Sequence, residues 1–450
     1  MEKTRSRGIV KKLPLRERQI KIVVIMINNE IASKITFIEN SNGLAEVPGF
    51  KVAGTPCDIR GNGDLNRLDL ALIFSKTPCT AAGTFTTNDV KSAPVLRCIK
   101  HLASHAAGKH PMYGIVANSG CANACTGEEG WLDAGRMCWF GANLLGVNEE
   151  EFFVCSTGRI GVKMPIEKVE TGLRESVKRL SNSAEESLRA ADAIITTDTH
   201  RKTCTAKFNI GGIAGVGGTT VTISGMAKGA GMIEPNMATM FGLMTTDAKI
   251  SQALLQKCLW HAVGQSFNCV SVDGDMSTND TVICLANGES NAEITEDVPE
   301  TVALFKAALE MVCFYLAKQI VSDGEKISRV ITLYVNGAKT DADANKIARS
   351  IGNSMLVKSA WCGGDPNWGR IICAAGYAKC GIDQTKVDLF YDDVPVFLKG
   401  ELQAQNEEKW REVVHKKEFD VKLFLNQGNS NYRLISTDLT EGYVKFNMGE

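Results

Sequence analysis

The chain has 450 residues, more than one hydrophobic core usually organises, so two domains or one elaborate α/β unit are expected. Hydrophobic residues make up 44%, yet no apolar run approaches the ~20 residues that a membrane-spanning helix needs, so no membrane partner is expected. With 50 basic against 51 acidic residues, and no basic stripe interleaved with aromatics, nucleic acid is not an expected partner either.

Residues 1–33 differ from the rest. Lys3, Arg5, Arg7, Lys11, Lys12, Arg16, Arg18 and Lys21 face only Glu2, Glu17 and Glu30. The segment reads as a basic extension outside the core, either a mitochondrial transit peptide or sequence upstream of a start at Met26. From there, short apolar runs at 68–74, 113–117 and 150–155 predict buried strands, each leading into residues rich in Gly, Ser, Thr and Asn. Helices are predicted over 169–180 and 184–193. Residues 203–210 and 219–224 read as paired strands joined by a glycine-rich turn, 211–218, which lacks the spacing of a dinucleotide loop. Helical periodicity recurs at 251–265, 299–321 and 342–351, and strands are predicted at 330–335, 387–391, 394–398 and 421–425. Strands and helices interleave without a strict βαβ spacing, which predicts an α/β or α+β layered architecture.

The 15 cysteines are scattered, and neither Cys121/Cys125 nor Cys373/Cys380 has a zinc-finger spacing. Reduced thiols packed as small hydrophobes are expected. Asn118, Asn123 and Asp273 to Asp275 fit structural turns. A metal reading of Asp273, Asp275 and Asp280 lacks the terminal Glu of an EF-hand, so no metal is expected.

The segment KGAGMIEPNMATM, 228–240, combines backbone-permissive Gly229 and Gly231 with Pro235, which restricts Glu234 to extended conformations. Taken alone it reads as a tight turn before a buried run. In context it resembles the cleavage segment of the ornithine acetyltransferase (glutamate N-acetyltransferase) family. Further segments resemble that family in the same order: GFKVAG (49–54), TFTTN (84–88), KSAPV (91–95), NSGCANACTG (118–127), STG (156–158), TTD (196–198), VDGD (272–275), STNDT (277–281) and GDPNWGR (364–370). The resemblance covers roughly residues 35 to 447.

The resemblance implies self-cleavage between Ala238 and Thr239, an N-terminal fragment 34–238 and a C-terminal fragment 239–450 headed by the nucleophile. Its chemistry is self-consistent. A threonine hydroxyl needs a base, and cleavage frees an α-amine of intrinsic pKa about 7.7–8.0 on the same residue. The six histidines, His101, His105, His110, His200, His261 and His415, are then not required, and packed or exposed roles are expected for them. The resemblance places the oxyanion hole at Thr157 and Gly158, in a loop after the strand ending near Cys155. A helix N-cap at Ser156 or Thr157 is the competing local reading. It places substrate contacts at Thr196, Lys228, Thr239, Glu325 and Asn447, with Lys228 toward a carboxylate and Glu325 toward the distal amine of ornithine.

The implied fold is an αββα-type layered sandwich shared with self-processing aminopeptidases. The implied function is acetyl transfer from N-acetylornithine to glutamate in arginine biosynthesis, ping-pong through acetyl-Thr239. No cofactor is implied, acetyl-CoA is a possible donor substrate, and two copies of each fragment assemble. The compartment is cytoplasmic, or the mitochondrial matrix if the leader is a transit peptide. Three departures stand out: Arg159 where the family often has an aliphatic residue, Glu234 beside Pro235, and a chain that stops three residues after Asn447. The rival readings are an aminopeptidase or amidohydrolase with water as acceptor, and an uncleaved chain without activity.

Overall fold

A computed structural model describes residues 29–211, 218–234 and 240–448. The basic leader up to residue 28, the middle of the glycine-rich turn, and Ala238 with Thr239 therefore lie outside the described residues.

After a short turn of helix α1 (Asn29–Ala32) come β1 (Ile35–Glu39), β2 (Phe50–Thr55) and the 16-residue β3 (Leu70–Phe85). Strand β3 serves two sheets. Its first half pairs with β2 and with β4 (Met112–Cys121), and its second half pairs with β10 (Thr281–Ala286). The pairing with β4 shifts register between Phe74 and Cys79, a stretch holding Pro78, which cannot donate to a ladder. Strand β5 (Phe152–Arg159) runs parallel to β4. Strands β6 (Lys202–Ile210) and β7 (Thr219–Lys228) form the expected antiparallel pair, and β8 (Phe241–Thr246) lies between β7 and β10. The continuous order is β1-β6-β7-β8-β10-β3-β4-β5, with β2 on β3. A two-residue ribbon joins β9 (Lys249–Ile250) to β11 (Glu293–Ile294).

Helices cover both outer faces. α2 (Ala93–Ala106), α3 (Gly127–Leu144) and α4 (Ile166–Arg179) pack on β2 to β5, whereas α5 (Ala184–Ala193) packs chiefly on β2. α6 (Gln252–Gly264) and α7 (Pro299–Ser322) pack on β3, β6 and β7. Gly225 of β7 abuts Val312 and Leu316 of α7, where a larger side chain would collide. Between the sheets, Leu243, Ile283 and Leu285 share one core with Ile73, Ile115 and Phe153. This is the expected αββα order. Among the described residues no helix is long and apolar enough to cross a membrane.

A second body begins at β12 (Val330–Ala338). After α8 (Asp341–Gly352), α9 (Met355–Cys362) and α10 (Trp368–Tyr377) come β13 (Asp388–Tyr391), β14 (Val394–Leu398) and β15 (Glu401–Leu402). Helix α11 (Glu407–Val414), β16 (Glu418–Phe424), β17 (Ser430–Thr437) and α12 (Glu441–Asn447) complete it. Its sheet, β15-β14-β13-β16-β12-β17, has its own core around Trp361 and Tyr391. The bond between residues 238 and 239 therefore does not separate the two bodies. It falls between β7 and β8, neighbours in the first sheet.

Candidate active site

The end of β5 carries the first pair of site residues. Thr157 and Gly158 continue the ladder with β4, where Gly120 faces Gly158. They belong to a strand that runs to Arg159, which corrects both the loop and the helix-cap expectations. Gly158 has φ 132°, and a Cβ there would lie 2.4 Å from the Gly120 carbonyl carbon. Only glycine fits this crossing.

The next component is the end of β7. Lys228 is buried, and its Nζ donates to Thr157 Oγ1 at 3.2 Å. Burial lowers its pKa, against the pull of Asp198. Asp198, whose side chain is fully buried, accepts from the Gly229 N–H (2.6 Å) and the Thr196 N–H (3.0 Å). The buried Lys202 joins it to Asp323, at 2.7 and 2.6 Å. Burial opposes the charge on Asp198, but Lys202, Lys228 and the Gly229 N–H prevail and hold its pKa at about 2. A carboxyl depressed below its unfolded value stabilises the fold fully above about pH 4, and that stabilisation is lost as pH falls through about 2.

Lys202→Met should leave two buried carboxylates without the cation between them. The expected cost is roughly 3–5 kcal/mol of unfolding free energy, read by urea denaturation at pH 7. The gap to wild type should narrow as the pH is lowered below 4.

Asp323 ends α7, and Glu325 follows it into the site. Glu325 donates its N–H to the Ala230 carbonyl (3.0 Å) and accepts from Asn447 Nδ2 on α12 (3.0 Å). A Cβ on Gly231 would sit 2.4 Å from the Glu325 carboxylate, so this glycine makes room for the acid. The structure thus joins Thr157 with Lys228, and Glu325 with Asn447, while Thr196 reaches the group through Asp198. Asp273 accepts from the Met232 and Ile233 N–H groups (2.6 and 2.8 Å) and from the Tyr443 hydroxyl. That is a turn-fixing role. Glu234 pairs with Arg349 of α8. Among the described residues no cluster of His, Cys, Asp and Glu is arranged to hold a metal ion.

A cavity of about 340 Å³ opens beside these groups, lined by Thr157, Gly158, the exposed Arg159, Met232 and the turn 277–279. A larger one, about 420 Å³, lies against β12 and β17 around Tyr334 and Arg433 and touches none of the expected site residues. Asn279 was not singled out by the sequence reading, although it lies in a motif. Its Nδ2 donates to the Ala122 carbonyl (2.7 Å) and the Ser156 carbonyl (2.6 Å), tying the turn to β5. Asn279→Ala should free the end of β5 and lower kcat by roughly ten- to a hundredfold, as a supporting contact does. A kcat within twofold of wild type would assign Asn279 a purely structural role.

The model of the ArgJ family matches residues 51–449. The arginine biosynthesis bifunctional protein ArgJ of Symbiobacterium thermophilum is 42% identical over 407 residues, covering 90% of this chain and 98% of its own. That of Thermotoga neapolitana is 43% identical over 404 residues, covering 89% and 98%. A crystal structure of the ArgJ protein from Bacillus halodurans aligns at 36% identity and a TM-score of 0.44, covering 47% of this chain and 98% of that one. A family match across both bodies, with relatives aligned nearly end to end, places this chain in the ArgJ family.

Proposed function

We propose that this chain is an acyltransferase of arginine biosynthesis that carries an acetyl group from N-acetylornithine to glutamate. The relatives named above are arginine biosynthesis bifunctional proteins, and the observation that carries the reading is the placing of Thr157 and Gly158 on one cavity, with the buried Lys228 donating to the Thr157 hydroxyl.

In this reading the chain cuts itself at Ala238–Thr239, and Thr239 becomes both nucleophile and, through its α-amine, base. Thr239 Oγ attacks the acetyl carbonyl of the donor. Thr157 and Gly158 receive the oxyanion, with the Lys228 ammonium behind Thr157 adding positive charge. The tetrahedral intermediate collapses, ornithine leaves with its α-amine reprotonated, and acetyl-Thr239 remains. The α-amine of glutamate then attacks this ester through the same steps reversed. Lys228 and Thr196 serve the substrate's carboxylate end. The Glu325–Asn447 pair serves the distal amine of ornithine. No cofactor is needed, and acetyl-CoA is a possible alternative donor. Two copies of each fragment assemble, and the work is done in the cytoplasm, or in the mitochondrial matrix if the leader directs it there.

Purified protein should run on a denaturing gel as fragments of 238 and 212 residues, before any trimming of the leader. Without glutamate it should release no more than one equivalent of ornithine per Thr239 from N-acetylornithine, and turnover beyond that should require glutamate. Turnover that ignores glutamate would instead identify a hydrolase with water as acceptor.

A further inference from the structure

The two amino acids exchanged in the proposed reaction share an α-amino acid frame and differ in the charge at the far end. Ornithine ends in an ammonium and glutamate in a carboxylate. Glu325, which accepts from Asn447 at 3.0 Å, suits the ammonium and repels the carboxylate. A site that takes both therefore gains from a cation on another wall. Most cations around the site are already committed. Lys202 lies between Asp198 and Asp323, and the buried Lys228 donates to Thr157. Lys326 sits over the Phe446 ring, 5.3 Å from its centroid, and Lys163 pairs with Glu129 at 2.8 Å.

Arg159 is the exception. It lines the cavity of about 340 Å³ next to Thr157 and Gly158, and among the described residues of that lining it alone is charged. Its guanidinium makes no hydrogen bond and no ion pair among the described residues. The root of the side chain is nevertheless fixed. Arg159 pairs with Cys121 in the ladder of β4 and β5, and its carbonyl accepts the Ala122 N–H at 3.0 Å. Around it on the same cavity stand the exposed apolar side chains of Ile160, Val162 and Met232, which offer the guanidinium no acceptor. Met232 follows Gly231, the residue that makes room for the Glu325 carboxylate, so the cavity runs from the unpaired cation to the turn packed on that acid.

Resting on the transferase reading given above, we propose that Arg159 selects the acceptor, its guanidinium receiving the side-chain carboxylate of glutamate in the second half-reaction. A guanidinium presents paired N–H donors that match a carboxylate in a planar, bidentate contact. Ile160, Val162 and Met232 limit the water that competes for that contact once glutamate is seated. Ornithine and its N-acetyl derivative carry no distal anion, so Arg159 acts on one half-reaction and not on the other. An aliphatic side chain in its place would leave glutamate and its neutral amide, glutamine, far less well distinguished.

Two assays on the purified full-length protein separate the half-reactions. Exchange of labelled ornithine into N-acetylornithine, without glutamate, uses only the cationic side chain, whereas net transfer to glutamate also needs the anionic one. Arg159→Leu should raise the glutamate KM by roughly tenfold or more, the scale of a hydrogen bond to a charged group, with kcat changing much less. The preference for glutamate over glutamine, as a ratio of kcat/KM values, should fall by a similar factor while exchange stays within twofold of wild type. Arg159→Lys should recover part of the glutamate KM, because it keeps the charge and loses the fork. An exposed side chain without a polar partner adds little to the fold, so Tm should stay at the wild-type value. A glutamate KM within threefold of wild type overturns the proposal, and so does an exchange rate that falls by the same factor as transfer. A shift in the KM for acetyl-CoA in place of glutamate also overturns it and assigns Arg159 to the phosphates of that donor. A wild-type protein that neither exchanges ornithine nor transfers acetyl defeats the transferase reading itself, an outcome distinct from the others.

Discussion

Thr239→Ala is expected to leave one intact 450-residue chain with transfer reduced by about 10⁵–10⁶-fold, the scale on which removal of a nucleophile is felt. Both losses have one cause. Without the hydroxyl there is nothing to add to the Ala238 carbonyl, so no new amine forms, and no acyl group can be held between the two half-reactions. The fold should survive. Strands β7 and β8 pair across the connection from Lys228↔Phe241 to Ile223↔Thr246, and β8 is also held by β10. Neither ladder includes residue 238 or 239, so the variant should match wild type in far-UV circular dichroism. Thr239→Ser keeps a hydroxyl and should retain cleavage and measurable transfer. An alanine variant that still splits into two fragments would move the scissile bond elsewhere.

How much of this was legible beforehand depended on what each element is made of. Helices α4 to α8 and strands β12 to β14 were read with the right type because apolar side chains recur at the spacing of the element. Helix α3 was not, because it carries Gly127, Gly130, Gly135 and Gly141, residues that weaken a helix considered alone. In the folded chain three of them are contact points. A Cβ on Gly141 would strike Val116, on Gly135 the Arg97 guanidinium, and on Gly130 Thr126 and Asn123. Strand β10 was hidden for a related reason: it is buried on both faces, so it shows no alternation.

At the site, Thr157, Lys228, Glu325 and Asn447 were reachable only through ordered motifs, since each is a common residue type in an ordinary local setting. Their grouping depends on residues with no sequence signature. Lys202 and Asp198 are far from Asp323 in the chain, and nothing short of the fold brings that ion cluster under Gly229 and beside Glu325. Asn279 is likewise a tether only because β4 and β5 end beside it.

Gly158→Ala tests the proposed oxyanion hole at its most constrained residue. Two independent penalties act at once. The backbone holds φ 132°, where an alanine is strained by roughly 1–3 kcal/mol. The added methyl would also lie 2.4 Å from the Gly120 carbonyl carbon and 2.6 Å from the Cys121 nitrogen, backbone atoms that no rotamer change can move aside. The end of β5 must shift away from β4, and the Gly158 N–H turns with it. Transfer should fall by about 10²–10³-fold, the loss measured when one oxyanion donor is removed, with the larger share in kcat. Thr157→Val is the matched control. It removes the hydroxyl that accepts from Lys228 but leaves the backbone amide in place, and should cost less than Gly158→Ala if the amide is the stronger donor. A Gly158→Ala enzyme with kcat within threefold of wild type would show that the oxyanion is held elsewhere.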